Sequence, residues 1–166
     1  MAVGKSVVGQ RLARRLKRSF IDLDQAVEDQ EGMKVHEIFE RKGEAYFRRA
    51  EKRTLKEVLK QDGQVIATGG GVITDEENLR LLKKKTLLIC LTATATTLLQ
   101  RSGAGENRPL LKAVDKHKKI EELLSQREKS YRQAHFRIDT GKLSVDQVVE
   151  KIVEIIKTPK RKEQSA

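Results

Sequence analysis

The chain has 166 residues, of which 37% are hydrophobic and 36% charged, enough for one domain with a sizeable core. It shows no apolar run near the roughly 20 residues of a membrane helix and no charged-then-apolar secretory start, and its single cysteine, Cys90, excludes an internal disulfide, so a cytoplasmic protein is expected. The formal charge of +11 is mixed with 24 acidic residues and accompanied by two tyrosines, four phenylalanines and no tryptophan, which argues against a nucleic-acid stacking surface and leaves a phosphate or small anion as the partner of the basic loops.

The opening stretch, Met1 to Ser6, reads as the last six residues of a phosphate-binding loop, G-x-x-x-x-G-K-[ST], with Val3, Gly4, Lys5 and Ser6 in place. In that motif backbone amides wrap the phosphates, the lysine neutralises their outer oxygens and the hydroxyl ligates Mg²⁺. A plain helix start with a solvated lysine is the alternative. Val7, Val8, Leu12, Ala13 and Leu16 recur at helical spacing, which predicts a helix over residues 5–16. A short strand follows over 19–24, running into Asp22 and Asp24. From 25 to 62 the pattern is helical with breaks at Gly32 and Gly43, so two short helices precede a longer one carrying Phe47, Leu55, Val58 and Leu59. A second strand over 65–68 ends at Gly69, Gly70 and Gly71. Then come a helix over 76–84, an apolar strand over 86–91 containing Cys90, and a helix over 94–102. Residues 103–115 have few apolar anchors and read as a mobile loop. A long helix over 116–134, a strand over 136–139, and a helix running to about residue 156 complete the chain; Ser144 and Gln147 form the capping box of that last helix. Alternating strands and helices predict an α/β fold with a parallel sheet covered on both faces, in one domain over 1–157 with a basic tail over 158–166.

Four features point to one chemistry, although each has a plain alternative. Asp22 and Asp24, two apart on a strand, would project together from its C-terminal end, where open α/β sheets bind ligands. They could hold Mg²⁺ and accept a proton from an attacking hydroxyl; the alternative is a strand-end turn with Asp24 capping the next helix. The glycine run at 69–71 offers a backbone free to take positive φ and to approach a ligand, or else a flexible turn. Arg48 and Glu51, three apart on a helix, would set a guanidinium for a carboxylate. Arg108, in the mobile loop, could close over a triphosphate, and Arg127, with Tyr131 one turn later, would be a second anion clamp. Any of these arginines could equally be surface decoration.

The ordered motifs G-K-S, I-D-L-D, G-E-x-x-F-R-x-x-E, A-T-G-G-G, N-R-P-L-L, R-x-x-x-Y and I-D-T resemble those of shikimate kinases over nearly the whole chain, from Ala2 to about Ile156. The resemblance implies a phosphate-loop fold like that of nucleoside monophosphate kinases, with a five-stranded parallel sheet between helices, a substrate-binding subdomain over 25–62 and a lid over 103–115. It implies transfer of the γ-phosphoryl group of ATP to the 3-hydroxyl of shikimate, on the route to chorismate and the aromatic amino acids. Matched by position, Lys5 is the phosphate-loop lysine, Ser6 the Mg²⁺ ligand, and Asp22 the acid that holds the metal through water. Asp24 binds the shikimate hydroxyls and is the base. Arg48 and Arg127 grip the shikimate carboxylate, Glu51 orients Arg48, and Gly70, flanked by Gly69 and Gly71, contacts substrate through its backbone. Arg108 is the lid arginine on ATP, Val3 and Gly4 belong to the phosphate loop, and Arg101 and Leu143 fall near the adenine. The resemblance also implies a monomer.

The sequence departs from the family pattern at its front, where the first glycine of the loop and the strand that feeds it would lie before Met1. The expectation is a natural protein that starts further upstream. Two rival readings remain on sequence grounds: a related small-molecule kinase such as a gluconate kinase, and a non-catalytic descendant of the same fold. A gluconate kinase would not be expected to pair Asp24 with Arg48 and Arg127.

Overall fold

The computed structural model describes residues 3–102 and 116–158. The expected lid over 103–115, with Arg108, and residues 159–166 of the expected tail lie outside the described residues. In chain order the elements are α1 (Lys5–Leu16), β1 (Ser19–Asp22), α2 (Leu23–Glu31), α3 (Val35–Val58), β2 (Gln64–Ala67), a 3₁₀ turn (Val72–Thr74), α4 (Glu76–Lys85), β3 (Ile89–Thr92), α5 (Ala95–Ser102), α6 (Lys116–Tyr131), β4 (Phe136–Asp139) and α7 (Val145–Lys157).

All strand pairing is parallel, but it comes in two separate pairs. β1 lies beside β2, with Ser19 opposite Gln64, and β3 lies beside β4, with Ile89 opposite Phe136. The five-stranded sheet implied by the resemblance is therefore not formed among the described residues, which give two two-stranded sheets. A cavity of about 340 Å³ separates them, lined by Val65, Ile66 and Ala67 on one side, Ile89 and Leu91 on the other, and by Val8 and Leu12 of α1.

Side-chain alternation along each strand sorts neighbours onto opposite faces. Val65, Ile89, Leu91 and Ile138 pack with Val8 and Leu12 of α1 and with Val148, Val149, Ile152 and Val153 of α7. Their alternates Ile66 and Cys90 pack on the other side with Leu55 of α3 and Leu59 just after it, Leu79 and Leu82 of α4, and Tyr131 of α6. Cys90 is thus a buried strand residue whose thiol is pushed up by burial. Gly9 allows the close approach of α1 to β1, since a Cβ there would lie 2.6 Å from the Phe20 ring.

The helical segment after β1 carries its own apolar cluster, in which Val27 of α2 meets Ile38, Phe47 and Ala50 of α3. Its two glycine breaks fall where expected. Gly32 ends α2 at φ 63°, and Gly43 interrupts α3 at φ 78°, ψ 169°. The last helix begins as its sequence predicts, with Ser144 Oγ accepting from the Gln147 amide and Gln147 Oε1 accepting from the Ser144 amide.

Candidate active site

The loop that precedes α1 ends at Gly4, whose φ of 85° and ψ of 18° lie in the left-handed region that a side chain strains. No side chain caps this helix and its first turn holds no acid, so its first amides and the positive end of its dipole are left for an anion. Lys5 and Ser6 occupy that turn. Ser6 Oγ donates to Asp22 Oδ2 at 2.5 Å, joining the start of α1 to the end of β1. The Val3 side chain is buried with Ala95, Leu98 and Ile120. Lys5 lines a small cavity of about 60 Å³ together with Thr68, Gly69 and Gly70, which brings the start of α1 and the glycine run together.

The two acids do not share a strand face. β1 ends at Asp22, which becomes the N-cap of α2, its Oδ1 accepting from the Asp24 amide at 3.1 Å. Asp24 lies in the first turn of that helix, and Leu23 between them is fully buried. A carboxylate at a strand end satisfies an orphan helix amide, which makes the turn into α2 available once Leu23 is drawn into the core. Asp22, rather than Asp24, is the capping residue. The outcome still divides the acids in a useful way: Asp22 turns to Ser6 and Asp24 to the glycine run.

None of Gly69, Gly70 and Gly71 takes a positive φ. The expected backbone freedom is not their purpose; space is. A Cβ on Gly69 would lie 3.2 Å from Glu51 Oε1 and 3.3 Å from Asp24 Oδ1. On Gly70 it would lie 2.8 Å from Tyr131 Oη and 2.9 Å from Arg127 Nη1, and on Gly71, 2.7 Å from Arg48 Nη1. Each glycine therefore leaves room for a different polar side chain, and Asp24, Arg48, Glu51 and Arg127 converge on one loop.

Within this group Arg48 Nη1 donates to Glu51 Oε2 at 2.8 Å and its Nη2 to Glu44 Oε1 at 3.1 Å, with the guanidinium 5.3 Å from the centre of the Phe47 ring. Burial opposes the Arg48 charge, but Glu51 and Glu44 more than offset it and its pKa is raised. Glu51 is only 2% exposed. Burial pushes its carboxyl up and the Asp24 charge adds to the rise, while Arg48 and then Arg127 pull it down. Tyr131 is also pushed up by burial, with Arg127 acting against the shift through its charge and a hydrogen bond.

On the side of the second strand pair, Arg101 Nη1 donates to Thr140 Oγ1 at 3.0 Å and Nη2 to the Thr140 carbonyl at 2.7 Å. That carbonyl also accepts from the Leu143 amide, so Arg101 and Leu143 meet at one buried threonine. Thr140 carried no assigned role in the sequence reading, although the I-D-T motif contains it; Tyr131 was noted there only beside Arg127. Chemically, the site joins an anion seat with a lysine to a carboxylate and two guanidinium groups. That suits a phosphate donor facing a carboxylated, hydroxylated acceptor.

A family model described as shikimate kinase matches residues 1–157. A shikimate kinase of Pelotomaculum thermopropionicum is 43% identical over 157 residues, covering 95% of this chain and 91% of the relative. One from Sulfurihydrogenibium is 40% identical over 157 residues, covering 95% and 93%. Among solved structures, shikimate kinase from Acinetobacter baumannii in complex with shikimate aligns with a TM-score of 0.90 and 36% identity, over 94% of this chain and 88% of that one.

Proposed function

The chain belongs to the shikimate kinase family, and on that premise we propose that it transfers the γ-phosphoryl group of ATP to the 3-hydroxyl of shikimate. The observation that carries the reading is the convergence of Asp24, Arg48 and Arg127 on the glycine run beside Lys5. Arg48, already fixed by Glu51, and Arg127 bind the shikimate carboxylate as charge-assisted pairs. Residues 25–62 serve as the substrate-binding subdomain, and the backbone of residues 69–71 faces the ring. Asp24 accepts the 3-hydroxyl proton as that oxygen attacks the γ-phosphorus; the bond from phosphorus to the bridging oxygen breaks, and ADP leaves. Lys5 and the N-terminus of α1 offset the phosphate charge, Val3 and Gly4 contribute loop amides, and Arg108 on the lid at 103–115 covers the triphosphate. Arg101 and Leu143 flank the adenine.

The donor set fits a hard cation with few protein ligands, since the Ser6 hydroxyl and Asp22 carboxylate meet next to the anion seat. Ser6 would hold Mg²⁺ directly and Asp22 through water, and the bound ion supplies charge neutralisation at the phosphate oxygens. By its likeness to the family, the enzyme is taken to act as a monomer in the cytoplasm.

The test is ADP release from Mg-ATP with and without shikimate, beside Asp24→Asn. The expected result is turnover that requires shikimate and falls by a factor of about 10² to 10⁴ in the variant. A folded chain that releases no ADP in response to shikimate, or prefers gluconate, would reject the assignment.

A further inference from the structure

Tyr131 closes α6 one helical turn after Arg127, so the two side chains share a face. The residue is 7% exposed and sits in the apolar cluster with Leu55, Leu79 and Cys90. Packing alone would be met there by phenylalanine, whereas a buried hydroxyl needs partners. The phenol donates to the Gly70 carbonyl at 3.3 Å, and the Arg127 guanidinium lies over the same glycine. A Cβ on Gly70 would lie 2.8 Å from Tyr131 Oη and 2.9 Å from Arg127 Nη1, so both groups close over the same glycine.

We propose that the Tyr131 hydroxyl is a positioning group that ties the Arg127 guanidinium to the Gly70 carbonyl. It thereby fixes the spacing between a carboxylate-binding arginine and the glycine backbone that faces the acceptor. This inference rests on the shikimate reading given above. Its physical content is a contrast between the two arginines. Arg48 is oriented by the carboxylates of Glu51 and Glu44, which also cancel part of its charge. Arg127 also feels the Glu51 charge, but no carboxylate ion pair fixes it among the described contacts, and the neutral Tyr131 hydroxyl beside it is left to orient it. Losing that hydroxyl frees rotamers that must be frozen again on binding, so the loss falls on acceptor affinity.

The experiment is steady-state kinetics of Tyr131→Phe in the full chain, with each substrate varied in turn, alongside Arg127→Ala and the double variant. Removing one oxygen keeps the ring, and the thermal midpoint is expected to stay within roughly 3 °C. The KM for shikimate should rise about tenfold while the KM for ATP is unchanged. In the Arg127→Ala background, Tyr131→Phe should add no more than about twofold, because the group it orients is gone. A second variant, Tyr131→Leu, should match the shikimate KM of Tyr131→Phe. An unchanged shikimate KM, equal losses for both substrates, or full additivity with Arg127→Ala would overturn the positioning role while the kinase reading stands. A wild-type chain with no shikimate-dependent turnover would overturn both.

Discussion

A methyl group added at Gly71 would lie 2.7 Å from Arg48 Nη1 and 2.9 Å from Nη2. The backbone there, φ −89° and ψ −16°, is one that any residue adopts, so the glycine is needed for room alone. The clashing atoms are the far end of a flexible side chain, and the guanidinium can retreat at little cost to the fold. Gly71→Ala is therefore expected to raise the shikimate KM roughly tenfold, with a midpoint lowered by no more than about 3 °C. Kinetics and a thermal melt on one preparation would check this; an unaltered KM would show that Arg48 is not displaced from a working position. The Arg48–Glu51 pair was legible from its spacing of three on a helix. What the glycine run accommodates was not, because its neighbours come from α2, α3 and α6, far away in sequence.

At the scale of elements, the signals read most clearly were those closed by local chemistry. Gly32 and Gly43 break the helices at left-handed positions, and Ser144 and Gln147 form their box across one turn. Ser144→Ala removes the acceptor for the Gln147 amide, which should cost about 1 kcal/mol and lower the midpoint by roughly 2–4 °C. Denaturant titration would read the loss; no change would mean that water replaces the cap fully. The end of β1 was misread for a related reason. Two acids after an apolar pair fit either a strand or a cap, and the deciding factor is the buried Leu23, which starts α2 inside the core. Tertiary burial, invisible locally, settled the choice. α3 is then fastened to α4 by Lys52 and Lys56, which hold Glu77 at a pKa of about 2 and place Lys52 against Asp75. That fastening supports the helix bearing Arg48 and Glu51.

For the whole molecule, alternation of strands and helices was enough to read parallel pairing with helices on both faces, and both are observed. The break in the sheet was legible too, not in periodicity but in the motif pattern, which expects a central strand feeding the phosphate loop that the described residues do not supply. In a parallel ladder successive residues bond to opposite neighbours, so only alternate amides of β2 and β3 are laddered within their pairs. The others face the cavity, and their hydrogen exchange is expected to be faster by roughly tenfold or more. Uniform protection along both strands would contradict that. The proposed phosphate seat hangs on α1 and, through Ser6 and Asp22, on the first strand pair, while Arg101, Thr140 and Leu143 belong with the second. A nucleotide reaching both would act as a strut across the gap. ADP should then slow exchange along edges it never touches, and the acceptor station would meet its full rigidity only in a molecule already loaded with its donor.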